Sequence, residues 1–467
     1  MIKQPNIVFI LIDDLGWRDL ACQGSRFYKT PHLDRLAKAG MTFTDAYAAC
    51  PVCSPTRASL MTGKYPANVG ITDWIDWGKW MHPLKGRLID VPYLKQLPAQ
   101  EHTLAEALRA GGYATWHVGK WHLGGAGALP QERGFDINIG GGTAGAPSRY
   151  FSPWNTEALA SETVPDGTYL TDYLTDRAID LIRKRDTRPF FLNLWHYAVH
   201  TPIQAKPEAV RRSAKRAAAL GLDNTTAIEA GEPFKTVNKM HLRIQRRRVQ
   251  SDPVYAAMLA NLDWNIGRLL KTLEDEGEAD NTLVIFTSDN GGLATAEGSP
   301  TCNAPLAEGK GWMYDGGVRV PLLVRWPGHA AAGSRCETPV TSPDFYPTLL
   351  AAAGLKAKPR QHRDGVSFAP LLAGAKTLPR DGIFWHYPHY GNQGGTPGSS
   401  VRSGDYKLIE FYEDGRLELY NLRKDIGETR NLAKKAPAIT RRLHAQLRAW
   451  RQSVEAQIPA RNPAWNV

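Results

Sequence analysis

Two acidic pairs in this chain stand where hard cations find their ligands. Asp13 and Asp14 close the apolar run at 7–12, and Asp289 with Asn290 follows the run at 283–287. Carboxylate and amide oxygens grouped in this way suit calcium or magnesium. Either pair alone reads as readily as a helix cap or a turn. A third feature is Cys53-Ser54-Pro55-Thr56-Arg57. A lone cysteine is usually an inert thiol and a lone Ser-Pro a turn, so the spacing Cys-x-Pro-x-Arg carries the signal.

The elements that must position these residues are short β-rich runs alternating with helical patterns. That alternation favours parallel strands joined by helical crossovers, an α/β fold. The runs at 7–12, 114–118, 190–194, 283–287 and 322–325 read as strands of one central sheet. Ligands of open α/β sheets collect beyond the carboxyl ends of strands, where 13–14 and 289–290 fall. Tyr255, Met258, Leu259, Leu262, Ile266, Leu269, Leu270 and Leu273 recur at helical spacing and predict one core-facing stripe. From 206 to 253 the chain turns polar, basic and alanine-rich, an insertion with no legible role. Beyond 378, strands at 399–402, 406–411 and 417–421 with Gly-Asp and Asp-Gly turns precede an amphipathic helix at 436–454. The expected organisation is a catalytic domain over 1–377 and a small antiparallel sheet with one helix over 378–467.

With 467 residues and 42% hydrophobic content, the chain can bury one large core and a smaller second one. Five irregularly spaced cysteines argue against both a disulfide framework and a paired zinc motif. A net charge of +11 favours an anionic partner. The densest basic run, HLRIQRRR at 241–248, lacks interleaved aromatics, so nucleic-acid binding is not expected. The longest apolar run near the start is too short to span a bilayer, and no secretory leader is visible.

The motif around Cys53, with Leu60, Thr62, Gly63 and Tyr65 after it and PNIVFILIDDLGW at the start, resembles the type I sulfatases. In that family the cysteine is oxidised to formylglycine. Gly119-Lys120-Trp121-His122-Leu123-Gly124, His200 in HTP, FTSDNGG at 286–292 and Gly309-Lys310-Gly311 resemble further family segments in family order. The likeness spans about 5–328 and returns in GDYKLI and ELYNL. It is nearest to bacterial carbohydrate sulfatases of the arylsulfatase A-like and N-acetylgalactosamine sulfatase-like kind. The resemblance implies an alkaline-phosphatase-like fold, a mostly parallel sheet sandwiched by helices. It also implies calcium held by Asp13, Asp14, Asp289 and Asn290, and a partner that makes formylglycine, either a formylglycine-generating or an anaerobic sulfatase-maturating enzyme.

By the same resemblance, a hydrated aldehyde at 53 offers one hydroxyl to attack sulfur and a second to expel sulfate. Arg57, one helical turn away, would hold that group, and Lys120 and Lys310 would grip the sulfate. His122 would act as base during release and His200 as acid towards the leaving alcohol. Specificity in the family lies in the walls. Here the candidates are Asp73-Trp74-Ile75-Asp76-Trp77 with Lys79 and Trp80, and His386, His389 and Asn392, aromatics beside polar groups that suit a sugar. The expected substrate is a sulfated glycan carrying galactose or N-acetylgalactosamine sulfate. Two alternatives stay open: a phosphonate monoester hydrolase or phosphodiesterase of the same superfamily, and an unmodified glycan-binding protein. Relatives that degrade polysaccharides act outside the cytoplasm, which points to a periplasmic or secreted protein without excluding a cytoplasmic one.

Overall fold

In the computed structural model, which describes residues 4–76 and 84–465, NIVFILI forms strand β1 (Asn6–Ile12) with every side chain buried. A strand that is apolar without alternation has to be covered on both faces. Its side chains divide accordingly. Ile7, Phe9 and Leu11 join one core with the helices Cys53–Thr62, Leu104–Ala110 and Phe345–Ala352. Val8, Ile10 and Ile12 join a second core with the helices Pro31–Ala39, Leu170–Arg183 and Pro253–Asp275.

The further strands are β2 (Met41–Tyr47), β3 (Ala114–Gly119), β4 (Ile137–Ile139), β5 (Phe190–Trp195), β6 (Ile228–Pro233), β7 (Arg243–Arg247), β8 (Thr282–Ser288), β9 (Arg319–Arg325), β10 (Ser334–Cys336), β11 (Val340–Thr341), β12 (Ile383–Tyr387), β13 (Gly398–Ser403), β14 (Tyr406–Phe411) and β15 (Leu417–Asn421). The main sheet has the order β10-β2-β9-β8-β1-β5-β3-β4, with β11 beside β2. From β8 through β4 every pair is parallel. The run at 322–325 proves to be the end of β9, which lies antiparallel to both β8 and β2. An antiparallel neighbour needs no helical crossover, so the β8–β9 connection is free to serve as a long loop.

The expected stripe is the inner face of helix Pro253–Asp275, which Asp252 caps by accepting from the Val254 and Tyr255 N–H groups. All its members are buried except Leu270, which packs at the margin. The segment at 206–253 contains a helix, Pro207–Ala219, and a two-stranded hairpin of β6 and β7. Only Ile244 and Arg246 of β7 turn inward, so the hairpin carries almost no apolar alternation to read.

The antiparallel sheet near the C-terminus has the order β12-β13-β14-β15, one strand more than expected, because β12 opens it. One face packs on helix Pro437–Ser453 through Val401, Leu408 and Leu419 against Leu443 and Leu447. The other presses Trp385, Tyr387, Ile409 and Phe411 against Tyr47, Cys50, Val52, Met313 and Val318. A buried charge cluster pins this contact: Lys407 Nζ lies 2.8 Å from Asp315 and 3.0 Å from Glu428, all three side chains without solvent exposure. Among the described residues no helix is long and apolar enough to cross a membrane.

Candidate active site

Four neighbouring parallel strands, in the order β8-β1-β5-β3, end at the same edge of the sheet. Ile12 pairs with Ser288, so Asp13 and Asp14 emerge beside Asp289 and Asn290. The chain leaving β5 carries His200, and Lys120 follows the last residue of β3 with His122 two positions on. The carboxyl ends of such strands are where α/β sheets build their sites. Asp13, Asp14, Asp289, Asn290 and Lys120 are all fully buried or nearly so. Lys310 arrives from the β8–β9 loop, its N–H donating to the Gly292 carbonyl at 3.1 Å. That loop folds back tightly: a Cβ on Gly291 would sit 1.8 Å from the Gly316 carbonyl oxygen.

Three cations meet three carboxylates here. Lys120 Nζ is 2.7 Å from Asp13, Lys310 Nζ is 2.9 Å from Asp14, and Arg57 reaches Asp289 at 2.8 Å. Arg57 also donates to the Lys120 carbonyl at 2.9 Å. Its guanidinium is thus engaged with Asp289 and backbone, while its charge also acts on Cys53. Burial raises Asp13, but the charges of Lys120, His200, Arg57 and Lys310 outweigh it and hold that carboxyl below its ordinary range. Burial and the neighbouring Asp13 charge push Asp289 up to about 7. Carboxylates that crowd one another in this way gain from a shared cation.

The donor set fits a hard ion. Asp13 Oδ1 and Asn290 Oδ1 are buried and accept no hydrogen bond. Single ligand atoms of Asp13, Asp14 and His200 lie within 4.8 Å of one another, as do those of Asp13, Cys53 and Asp289. Asn290 Nδ2 donates to Asp14 Oδ1 at 2.8 Å, which holds the amide against the acid pair.

Cys53 is the first residue of the helix Cys53–Thr62, whose N–H-rich end therefore opens on these charges. Its Sγ is 3.4 Å from His122 Nδ1. His122 Nε2 donates to the Ile75 carbonyl at 2.8 Å, which leaves Nδ1 as the acceptor facing Cys53. Burial, with the Lys120 charge, keeps this ring neutral. Burial also raises the Cys53 thiol, so the unmodified sulfur is a poor nucleophile. His200 donates from Nδ1 to the Thr201 carbonyl at 2.8 Å, and its Nε2 lies 3.6 Å from Asp14.

The model of the sulfatase family matches residues 5–355. The chain belongs to the sulfatase family. Its hydrolytic activity is accordingly that of a sulfuric ester hydrolase. A second family model, N-sulphoglucosamine sulphohydrolase C-terminal, matches residues 308–453. The chain is 32% identical to arylsulfatase A of Homo sapiens over 92% of its own length and 83% of the relative's. It is 30% identical to N-acetylgalactosamine-6-sulfatase of Mus musculus over 82% and 69% of the two lengths. Among solved structures it is similar to Ps i-CgsB in complex with k-i-k-neocarrahexaose, with a TM-score of 0.76 and 30% identity, covering 99% of this chain and 95% of that one.

Around this sulfatase site the expected wall residues fare unequally. Asp73 and Trp74 sit beside the helix of Cys53, where the Ile75 N–H donates to Ser54 Oγ at 3.1 Å. Asp73 is buried and accepts from the Tyr387 hydroxyl at 3.0 Å, whereas Trp74 is part-exposed. Trp77, Lys79 and Trp80 lie outside the described residues. His389 is enclosed between Thr72 Oγ1 at 2.8 Å and Asp90 at 3.0 Å. His386 is corrected: it lies within β12, its Nδ1 bonded to Ser399 at 2.8 Å and its Nε2 to the Gln457 carbonyl at 3.0 Å. With both nitrogens so occupied and burial pulling its pKa down to about 3, it is a neutral strut for the C-terminal segment. Asn392 is part-exposed on the rim.

Sequence reasoning missed two supports of His122. Gly145 lies on the ring face, where a Cβ would come within 2.6 Å of Cε1; the glycine-rich stretch GGGTAGA was the available signal. The Ile75 carbonyl, which sets the tautomer, is backbone and leaves no sequence signal. Asp14 and His122 also adopt left-handed backbone, φ 61° and 59°, a strained conformation that clusters at functional sites.

Proposed function

We propose that this sulfatase hydrolyses O-sulfate esters on galactose or N-acetylgalactosamine units of sulfated glycans. In this reading Cys53 is converted to formylglycine by a maturating enzyme, and calcium is held by Asp13, Asp14, Asp289 and Asn290. The observation that carries it is the convergence of Cys53, His122, three buried carboxylates and three buried cations at one sheet edge. The relatives named for N-acetylgalactosamine 6-sulfate and the structure complexed with neocarrahexaose support the glycan class. Polymeric sulfated glycans do not cross bilayers, which supports a place in the periplasm or outside the cell.

The bound cation supplies Lewis acidity and neutralises charge on the transferring group. The hydrated aldehyde supplies a hydroxyl that attacks and a second that releases. The chain's own side chains do the rest. Lys120 and Lys310 present fixed positive charge to the sulfate oxygens, usually the largest catalytic contribution. Arg57 fixes Asp289 and the Lys120 backbone. His122 takes a proton at Nδ1 from the side chain at 53, and His200 gives one to the departing sugar oxygen.

The deciding experiment is the mass of the Cys53 peptide after co-expression with a maturase, alongside rates on an aryl sulfate, an aryl phosphonate and defined sulfated sugars. Loss of hydrogen sulfide with gain of oxygen, and preferred desulfation of galactose-type sugars, are expected. An unmodified thiol with no turnover overturns the reading, and a preference for the phosphonate reassigns the reaction. The metal has its own readout. Calcium added to chelator-stripped protein raises Tm, by a stabilisation of about 2.7 kcal/mol at a hundredfold excess over Kd. Asp289→Asn diminishes that rise, and an unchanged Tm in the parent protein removes calcium from the site.

A further inference from the structure

The insertion between 206 and 253 docks on the wall that carries Lys310. Phe234 and Ile244 pack on Trp312, two residues beyond it. Arg246 binds Glu232 and Glu308 at 2.8 Å each, clamping the hairpin to the residue two before it. Gln393 packs on Gly311, and its carbonyl accepts from Thr295 at 3.0 Å and from the Trp312 indole at 3.1 Å. Next to it, Asn392 accepts from Lys239 Nζ of the insertion at both its carbonyl oxygen, 3.1 Å away, and its side-chain oxygen. The side-chain amides of Asn392 and Gln393 both donate to one oxygen of Glu297 at 2.8 Å. Lys239, Asn392 and Glu297 thus form a connected rim running back to the site.

Two observations mark this rim as more than packing. Lys239 is only part-exposed, yet among the described residues no carboxylate lies within 4.0 Å of its ammonium, whose partners are neutral oxygens. A partly desolvated cation in that state is improved by an anion. Glu297 is exposed, holds left-handed backbone at φ 53°, and its charge acts on both Lys310 and Lys239. Strain of this kind is retained where neighbouring structure dictates it, commonly at ligand sites.

We propose that Lys239, Asn392 and Glu297 form a subsite for the sugar unit adjoining the sulfated one, with Lys239 taking an anionic substituent and Glu297 and Asn392 taking hydroxyls. This rests on the glycan sulfatase reading. The chemistry shared by a second sulfate ester and a uronate carboxylate is a compact anion, which the ammonium binds by charge-assisted hydrogen bonds.

The test compares kcat/KM for the matured enzyme and Lys239→Ala on p-nitrophenyl sulfate and on three sulfated oligosaccharides whose neighbouring unit carries a sulfate, a carboxylate or neither. The variant is expected to lose about tenfold more on an anion-bearing oligosaccharide than on the aryl sulfate, mostly through KM. Which oligosaccharide shows the loss identifies the anion, and Lys239→Arg recovers most of it. Equal losses on all four substrates, or no loss on any, overturn the subsite. Parent enzyme that turns over none of the four substrates removes the underlying glycan sulfatase reading instead.

Discussion

Cys53→Ala drops turnover of any sulfate ester to background, a loss on the order of 10⁵-fold, while the protein stays folded and still responds to calcium. Removing a covalent nucleophile abolishes the pathway that its neighbours serve, so the loss is as large as removal of the whole group. The fold tolerates the change because the side chain is small and its only described hydrogen-bond partner is His122. Cys53→Ser performs no better in steady state, because one hydroxyl can attack but no second remains to expel sulfate. Initial rates on an aryl sulfate and a thermal melt, with and without calcium, check both halves. Retention of more than about a hundredth of the parent rate would move the nucleophile elsewhere.

Lys407→Met costs about 3–5 kcal/mol of stability, because it leaves the Asp315 and Glu428 carboxylates buried without their shared cation. Arg319, 3.5 Å from Asp315, compensates only that acid. Burial pushes Glu428 up to about 7, with the Asp315 charge adding to it, so this carboxylate leans on Lys407 to stay ionised. Replacing both partners, Lys407→Met with Glu428→Gln, recovers a large part of the loss, since no unpaired charge then remains at 428. Urea denaturation of the two variants measures the difference. A single-variant cost below about 1 kcal/mol would show that water reaches the cluster.

Both predictions concern residues whose motifs stand out in the sequence, yet their reasons differ in legibility. The strands that deliver the site were readable because β1, β3, β5 and β8 are buried on both faces and so are continuously apolar. The acids after them follow from strand ends. β2, by contrast, reads MTFTDAY, and its alternation of buried and half-buried positions is too polar to stand out beside them. The hairpin of the insertion is held by its two inward side chains, Ile244 and Arg246, and no periodicity announces such an element. GDYKLI was recognisable as a family segment, but that Lys407 bridges two acids arriving from 315 and 428 is a tertiary fact. His386 misled because a histidine beside tyrosines looks like a sugar contact, whereas its partners, Ser399, Tyr412 and the Gln457 carbonyl, lie on three separate segments.

Every residue of the helix Cys53–Thr62 is buried, so the pentapeptide 53–57 has no outer face. An enzyme that reads those five side chains as a peptide can do so only before the helix docks under the sheet. On the proposed formylglycine reading, editing of Cys53 and folding therefore compete for the same stretch of chain during synthesis, and a molecule that folds first keeps its thiol. On that reading the modified fraction of a preparation is set by the relative speed of two events in the nascent chain.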